Sequence, residues 1–161
     1  MKTLIQTLVV MILPLILQGK VHASETNRTA LEQANHDLAV YCMEILENRP
    51  DLASSHRINI LREECYSENF TEHSPSIKDG REALLSVFEK RYKKYPELSM
   101  SIKRTVVEGD LVWIHLHVKH RIDSLGAAGI HIFRIKDGRI VEHWGVNQPV
   151  PETSKNTNTM F

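Results

Sequence analysis

Long apolar runs, an excess of charge of one sign and a nucleophile in a recognisable setting are all missing from this chain of 161 residues. Lys+Arg and Asp+Glu stand at 20 each. Such a balance gives no electrostatic reason to expect nucleic acid or an anionic membrane as a partner. The longest apolar stretch, Leu4 to Leu17, is broken by Gln6, Thr7 and Pro14, and a bilayer span needs roughly 20 residues. Neither cysteine, Cys42 or Cys65, nor any serine lies in an elbow or triad pattern, so nucleophilic catalysis is not indicated. No internal repeat is visible, and the length suits one domain.

What the first 23 residues do contain is the pattern of an export signal. Lys2 supplies the positive n-region, and Val21-His22-Ala23 offers small residues around a cleavage point. Lys20, close to that point, favours the alternative of an uncleaved anchor; the absence of a cysteine there argues against a lipid anchor. The expected organisation is a signal peptide over 1–23 and one domain over 24–161, exported to a periplasm or secreted, with no stable membrane anchor after cleavage. Loss of Lys2 and Lys20 leaves eighteen basic side chains against 20 acids, a net charge near −2. A domain of this size buries about two thirds of its unfolded surface and needs no metal or disulfide to support its core. In an oxidising compartment Cys42 and Cys65 either pair or remain two small core residues on separate helices.

The domain divides into a helical half and a stranded half. Leu31, Ala34, Leu38, Tyr41 and Ile45 recur at helical spacing between Thr29 and Asn48, and Pro50 ends that run. A second helix is predicted over 54–66, with Ile58, Leu61 and Cys65 on one side, followed by an irregular link over 70–76. Asp79 is placed to cap a third helix that starts at Arg81 and stops before Pro96. Arg91, Lys93 and Lys94 in its last turns suit the negative end of the helix dipole. Beyond Pro96 the apolar period changes to two. Strands are predicted around Leu98 to Lys103, Leu111 to Arg121, Ala128 to Ile135 and Arg139 to Asn147, joined by turns at Glu108-Gly109-Asp110 and Lys136-Asp137-Gly138. Helices first and an antiparallel meander second indicate an α+β fold with helices on one face of the sheet. The tail over 148–161 is expected to be irregular.

Histidines carry the chemical interest: His115, His117, His131 and His143 all lie in the stranded half. Residues two apart in a strand share a face, so His115 and His117 face with Trp113 and Lys119, while His131 faces with Phe133 and Ile135. Pairing centred on Ser124 sets His117 opposite His131. A buried imidazole beside a second imidazole has a lowered pKa and stays neutral near pH 7, as a general base requires. Three readings stay open for these histidines: hydrogen-bonded pocket fillers, acid/base groups, or metal ligands beginning from the His115-x-His117 pair. No metal and no cofactor is expected.

The segment from Gly129 to Glu152, with Ile-Phe-Arg-Ile-Lys-Asp-Gly-Arg and His143-Trp144-Gly145 at its centre, resembles the C-terminal signature of SnoaL-like proteins. Phe70-Thr-Glu-His73-Ser-Pro75, Asp79-Gly-Arg-Glu-Ala, Glu108-Gly-Asp-Leu-Val and His115-Leu-His117 extend the similarity to residues 30–161. The closer likeness is to the set described as aldol-condensation-catalysing, within the superfamily of nuclear transport factor 2. The resemblance implies a cone of helices on a curved antiparallel sheet, a homodimer, and a pocket for a small, mostly apolar carbonyl compound. It implies cofactor-independent lyase or isomerase chemistry by proton abstraction, or binding without turnover. His131 stands where the family has an aspartate acid/base, and Gly145 where it has a second aspartate; His117 matches the family's partner histidine. The expected site is therefore His131 and His117 as catalytic pair, with His73, Trp144, His115 and Phe133 around the substrate.

Overall fold

The computed structural model describes residues 28–161 except 48 and 50, and the expected export signal lies outside the described residues. Three helices, Ala30–Glu47 (α1), Ser54–Ile60 (α2) and Arg81–Lys94 (α3), pack on one face of a five-stranded sheet. The strands are Tyr66–Glu72 (β1), Ser99–Glu108 (β2), Leu111–Lys119 (β3), Ala127–Lys136 (β4) and Arg139–Pro149 (β5), in the spatial order β1-β5-β4-β3-β2. This is the α+β cone expected from the sequence, with one strand more than the pattern indicated.

Local chemistry accounts for most of the elements. Thr29 and Glu32 form a reciprocal capping box at the start of α1: the Glu32 amide donates to Thr29 Oγ1 and the Thr29 amide to Glu32 Oε2. The other Glu32 oxygen accepts from the Gly109 amide, and Asn35 donates to the Gly109 carbonyl, which fastens the β2–β3 turn to α1. Asp137 and Gly138 both have positive φ, as a two-residue hairpin turn of right-handed strands requires. Asp79 does not cap α3 as predicted. Its carboxylate accepts from the Gly80 and Glu72 amides, so it ties the end of β1 instead, and Gly80 occupies the N-cap without a side-chain bond.

The core lies between helices and sheet. Alternation in β3 sends Val112, Ile114, Leu116 and Val118 inward, where they meet Ala39, Met43, Leu46, Leu84, Leu85 and Phe88. In β2 the inward set changes from even to odd numbers after a bulge between Ile102 and Arg104, because one extra residue reverses which side chains face the core.

Two predicted boundaries need correction. The second helix does not continue to Tyr66: α2 passes into a single π-helical turn, Leu61–Cys65, and the chain is extended from Tyr66 onward. The segment read as partly irregular is β1, which pairs in parallel with β5 and brings Glu72 beside His143. Its pairing is broken between Tyr66 and Thr71, and five of its seven residues are polar or charged, so it shows no alternation for a period-two pattern to detect. Cys42 in α1 and Cys65 are joined as a disulfide, which decides between the two readings of the cysteines.

Candidate active site

Between sheet and helices lies a cavity of about 440 Å³. Apolar side chains of α1, α3 and β2–β4 form most of its wall, among them Met43, Leu46, Leu84, Phe88, Met100 and Phe133. Polar groups come from β4 and β5, His131, His143 and Asn147, from Arg91 of α3 and His120 after β3, and from Ser74 and Ser76 in the segment after β1.

Three of the buried groups form a chain. Glu72 at the end of β1 holds both carboxylate oxygens 2.9 Å from His143 Nδ1. His143 Nε2 lies 2.9 Å from His131 Nδ1. Glu72 Oε1 also accepts from the Ser74 amide at 2.8 Å. The Glu72 side chain has no exposed surface and that of His143 is 9% exposed, and both His131 and His143 border the cavity. Burial raises the Glu72 pKa, but the hydrogen bond and charge of His143, with the bond from Ser74, outweigh it and hold the carboxyl below its usual range. An ionised carboxylate only accepts, so His143 Nδ1 donates to it. In the neutral state His143 Nε2 then accepts from His131 Nδ1–H, which leaves the lone pair of His131 on Nε2. Burial first, and the neighbouring His143 second, bring the His131 pKa down to about 4, while a hydrogen bond with Asn147 acts in the opposite sense.

Room for this chain comes from two glycines. A Cβ on Gly145 would stand 3.1 Å from both Cε1 and Nε2 of His143 and 3.4 Å from His131 Cε1. On Gly129 it would stand 2.7 Å from Asn147 Oδ1 and 2.9 Å from Leu116 Cδ1. A side chain at 145 would thus press on the imidazole pair, which would have to give by a few tenths of an ångström.

The expected facing of His117 and His131 does not occur. β3 and β4 pair with Ile114 opposite His131 and His117 opposite Ala128, three residues from the predicted register. An odd shift carries a residue to the other face of the sheet. His117 lies on the outer face, where its Nε2–H donates to the Leu125 carbonyl at 2.8 Å and its ring packs 4.1 Å from Phe161 of the tail. His115 is on the same face, accepting from Arg104 at Nδ1. His73 and Trp144 are together but also outside: their rings stack at 4.5 Å, and His73 Nε2 pairs with Glu142. Of the six residues named from sequence, His131 and Phe133 line the cavity and the other four do not. Sequence reasoning missed Glu72 and assigned His143 no role; each immediately precedes a residue it did choose, His73 and Trp144. Among the described residues, no group of three or more His, Cys, Asp or Glu is arranged to hold a metal ion.

The family model for the SnoaL-like domain matches residues 51–143, more than half of the chain. Solved structures of similar fold include a candidate SnoaL-like polyketide cyclase from Jannaschia sp. CCS1, at 16% identity and TM-score 0.61, covering 75% of this chain and 90% of that one. A candidate ketosteroid isomerase from Kribbella flavida matches at 15% identity and TM-score 0.57, covering 78% and 85%. IdmH, a candidate polyketide cyclase from Streptomyces antibioticus, matches at 22% identity and TM-score 0.54, covering 70% and 91%. At these identities the likeness concerns the fold. No curated protein matches the chain.

Proposed function

Since the chain belongs to the SnoaL-like family, we propose that its cavity removes a proton from a carbon next to a carbonyl in a small, mostly apolar compound, without a cofactor. The observation that carries this reading is the Glu72–His143–His131 chain ending at the cavity. His131 Nε2 takes the proton as the C–H bond breaks and its electron pair moves into the enolate. The His131 Nδ1 proton passes to His143 Nε2, and the resulting imidazolium stands against the Glu72 carboxylate. His131 is thus neutral before and after, which agrees with an environment that disfavours its cation. Return of the proton to another atom of the enolate gives isomerisation; attack of the enolate on a second carbonyl gives aldol-type ring closure.

Deuterium exchange of 2-tetralone in D2O, followed by NMR, tests the reading. The protein should accelerate exchange over buffer, and His131→Asn should lower the acceleration by roughly 10²–10⁴-fold, the usual worth of a general base. Exchange no faster than buffer, with the ketone still bound, would make the protein a carrier. The proposal extends to context: an exported protein, as the Cys42–Cys65 disulfide favours, that pairs with a second copy of itself through the outer sheet face.

A further inference from the structure

We propose that the mouth of the cavity docks on a membrane surface containing anionic lipid, so that an apolar compound enters from the bilayer without crossing water. The inference goes beyond the acid/base reading and does not depend on it.

The mouth is marked by the lining residues that also meet solvent, Pro75, Ser76, His120 and Asn147. The linker between β3 and β4 forms part of its rim, because His120 at one end and Ala127 at the other both line the cavity. Two aliphatic residues of this linker are exposed, Ile122 at 72% and Leu125 at 51%. A single exposed aliphatic residue is ordinary on a protein surface; two on one short loop at the rim of an apolar cavity form a patch. The loop backbone is engaged within the protein. The Ile122 carbonyl accepts from Lys119 Nζ, the Arg121 carbonyl from the Ser124 amide and hydroxyl, and the Leu125 carbonyl from His117 Nε2. The Ile122 amide donates to Glu97 at 3.3 Å, and the Gly126 carbonyl accepts from the Val150 amide at 2.9 Å. Lipid offers no partners to polar backbone, and here those groups are satisfied while the aliphatic side chains face outward.

The even charge balance of the whole chain conceals an uneven distribution. The end of α3 with the residues after it, 89–97, and the linker with its entry, 119–126, together carry six Lys and Arg against three Asp and Glu. The rest of residues 24–161 carries twelve against seventeen. The two segments meet: the Tyr95 ring lies 4.5 Å from that of His120, and Lys94 Nζ lies 5.1 Å from the Tyr95 ring. Lys90, Lys93, Lys94 and Arg121 are exposed. Lys93 and Arg121 have acidic neighbours, Glu89 at 2.9 Å and Asp123 at 3.3 Å, but all four side chains are more than half exposed. Such surface pairs are weak and leave the local excess of positive charge in place. Cations thus gather beside the aliphatic tips while the remainder of the domain is acidic, which turns the mouth toward a negative surface. Tyr95, with an apolar ring and a polar tip, suits the same boundary. A nucleic acid would engage the cations and leave Ile122 and Leu125 in water, whereas an anionic bilayer takes up both.

Co-sedimentation of the protein as exported, without its leader, with lipid vesicles tests the assignment. Vesicles of equal parts phosphatidylglycerol and phosphatidylcholine should bind it at low salt, and the binding should weaken as salt screens the charges. Pure phosphatidylcholine should bind it at least about tenfold less, each cation near an anionic surface being worth a factor of about five. Lys93→Gln with Lys94→Gln should weaken binding to the anionic vesicles by roughly tenfold or more. Ile122→Ser with Leu125→Ser should do the same by at least about tenfold, while Ile122→Leu with Leu125→Ile, which keeps the aliphatic surface, should bind as the wild type does. No binding to anionic vesicles at low salt, equal binding to both compositions, or binding that survives the serine substitutions would overturn the proposal. Loss of 2-tetralone affinity in the serine variant with vesicle binding unchanged would overturn it too, and make the loop a lid over the cavity. The acid/base reading fails separately: vesicle binding without ketone exchange leaves the docking surface standing and removes the chemistry.

Discussion

Replacing Glu72 by glutamine keeps the size of the side chain and removes its charge, so it separates packing from electrostatics at one residue. The imidazolium formed at His143 would then lack its counter-charge, and exchange of 2-tetralone should fall by roughly 10²-fold or more with little change in ketone affinity. An unchanged exchange rate would mean that His131 works without the relay. At Gly129 the expectation concerns stability. Alanine there meets Asn147 and the buried Leu116 side chain below 3.0 Å, and overpacking of this kind costs about 1–3 kcal/mol, measurable by urea unfolding. At this scale the sequence is legible in residue type and unreliable in facing. A strand sends neighbours to opposite sides, so a motif such as Glu72-His73 or His143-Trp144 offers two candidates, one inside and one outside. The aromatic or titratable neighbour attracts notice, yet Glu72 and His143 are the buried members. Only the pairing of β1 with β5 determines that they meet.

Elements that carry their own periodicity were readable: α1, α3 and the four strands after Pro96 follow from spacing, proline stops and turn residues. β1 was not, because its place is fixed by partners distant in sequence, β5 on one side and the disulfide just before it. Cys42 and Cys65 close a loop over a separation of 23 residues and hold the π-helical turn against α1. The chain-entropy estimate for a loop of that length is about 3 kcal/mol. Cys42→Ser with Cys65→Ser should therefore lower the unfolding free energy by about that amount, with β1 amides, Glu72 among them, losing hydrogen-exchange protection ahead of β3 and β4. Uniform loss across the sheet would show that the crosslink does not single out β1. The β3–β4 register escaped the sequence for a related reason. The linker over 120–126 has several turn-forming residues, and a small displacement of its centre, which shifts the register by three, was enough to place His117 on the wrong face.

For the molecule as a whole, the two faces of the sheet divide the work. The outer face carries cross-strand rows, Val106–Trp113–Ile132–Trp144 and Arg104–His115–Ile130–Val146, with Val106 60% and Val146 68% exposed. If a second copy covers this face as proposed, Val106→Glu with Val146→Glu should yield a monomer by sedimentation while cavity binding persists; an unchanged mass would place association elsewhere. The inner face governs the response to pH. Above about 6.5 His131 is neutral in the folded and the unfolded chain alike and contributes no slope. Between about 6.5 and about 4 the unfolded chain binds a proton there that the folded chain excludes, so stability falls as pH falls, by up to roughly 3 kcal/mol at 1.36 kcal/mol per pH unit. Glu72 acts lower: its depressed pKa contributes stability that is present above the ordinary carboxylate pKa and lost as pH drops through the folded value. Urea unfolding across pH 7 to 3 should thus show a decline in the wild type that His131→Asn reduces, whereas the loss at the acid end should persist in that variant and be smaller in Glu72→Gln. A decline between 6.5 and 4 that survives His131→Asn would assign the excluded proton to a different imidazole, and with it the neutral group at the end of the relay.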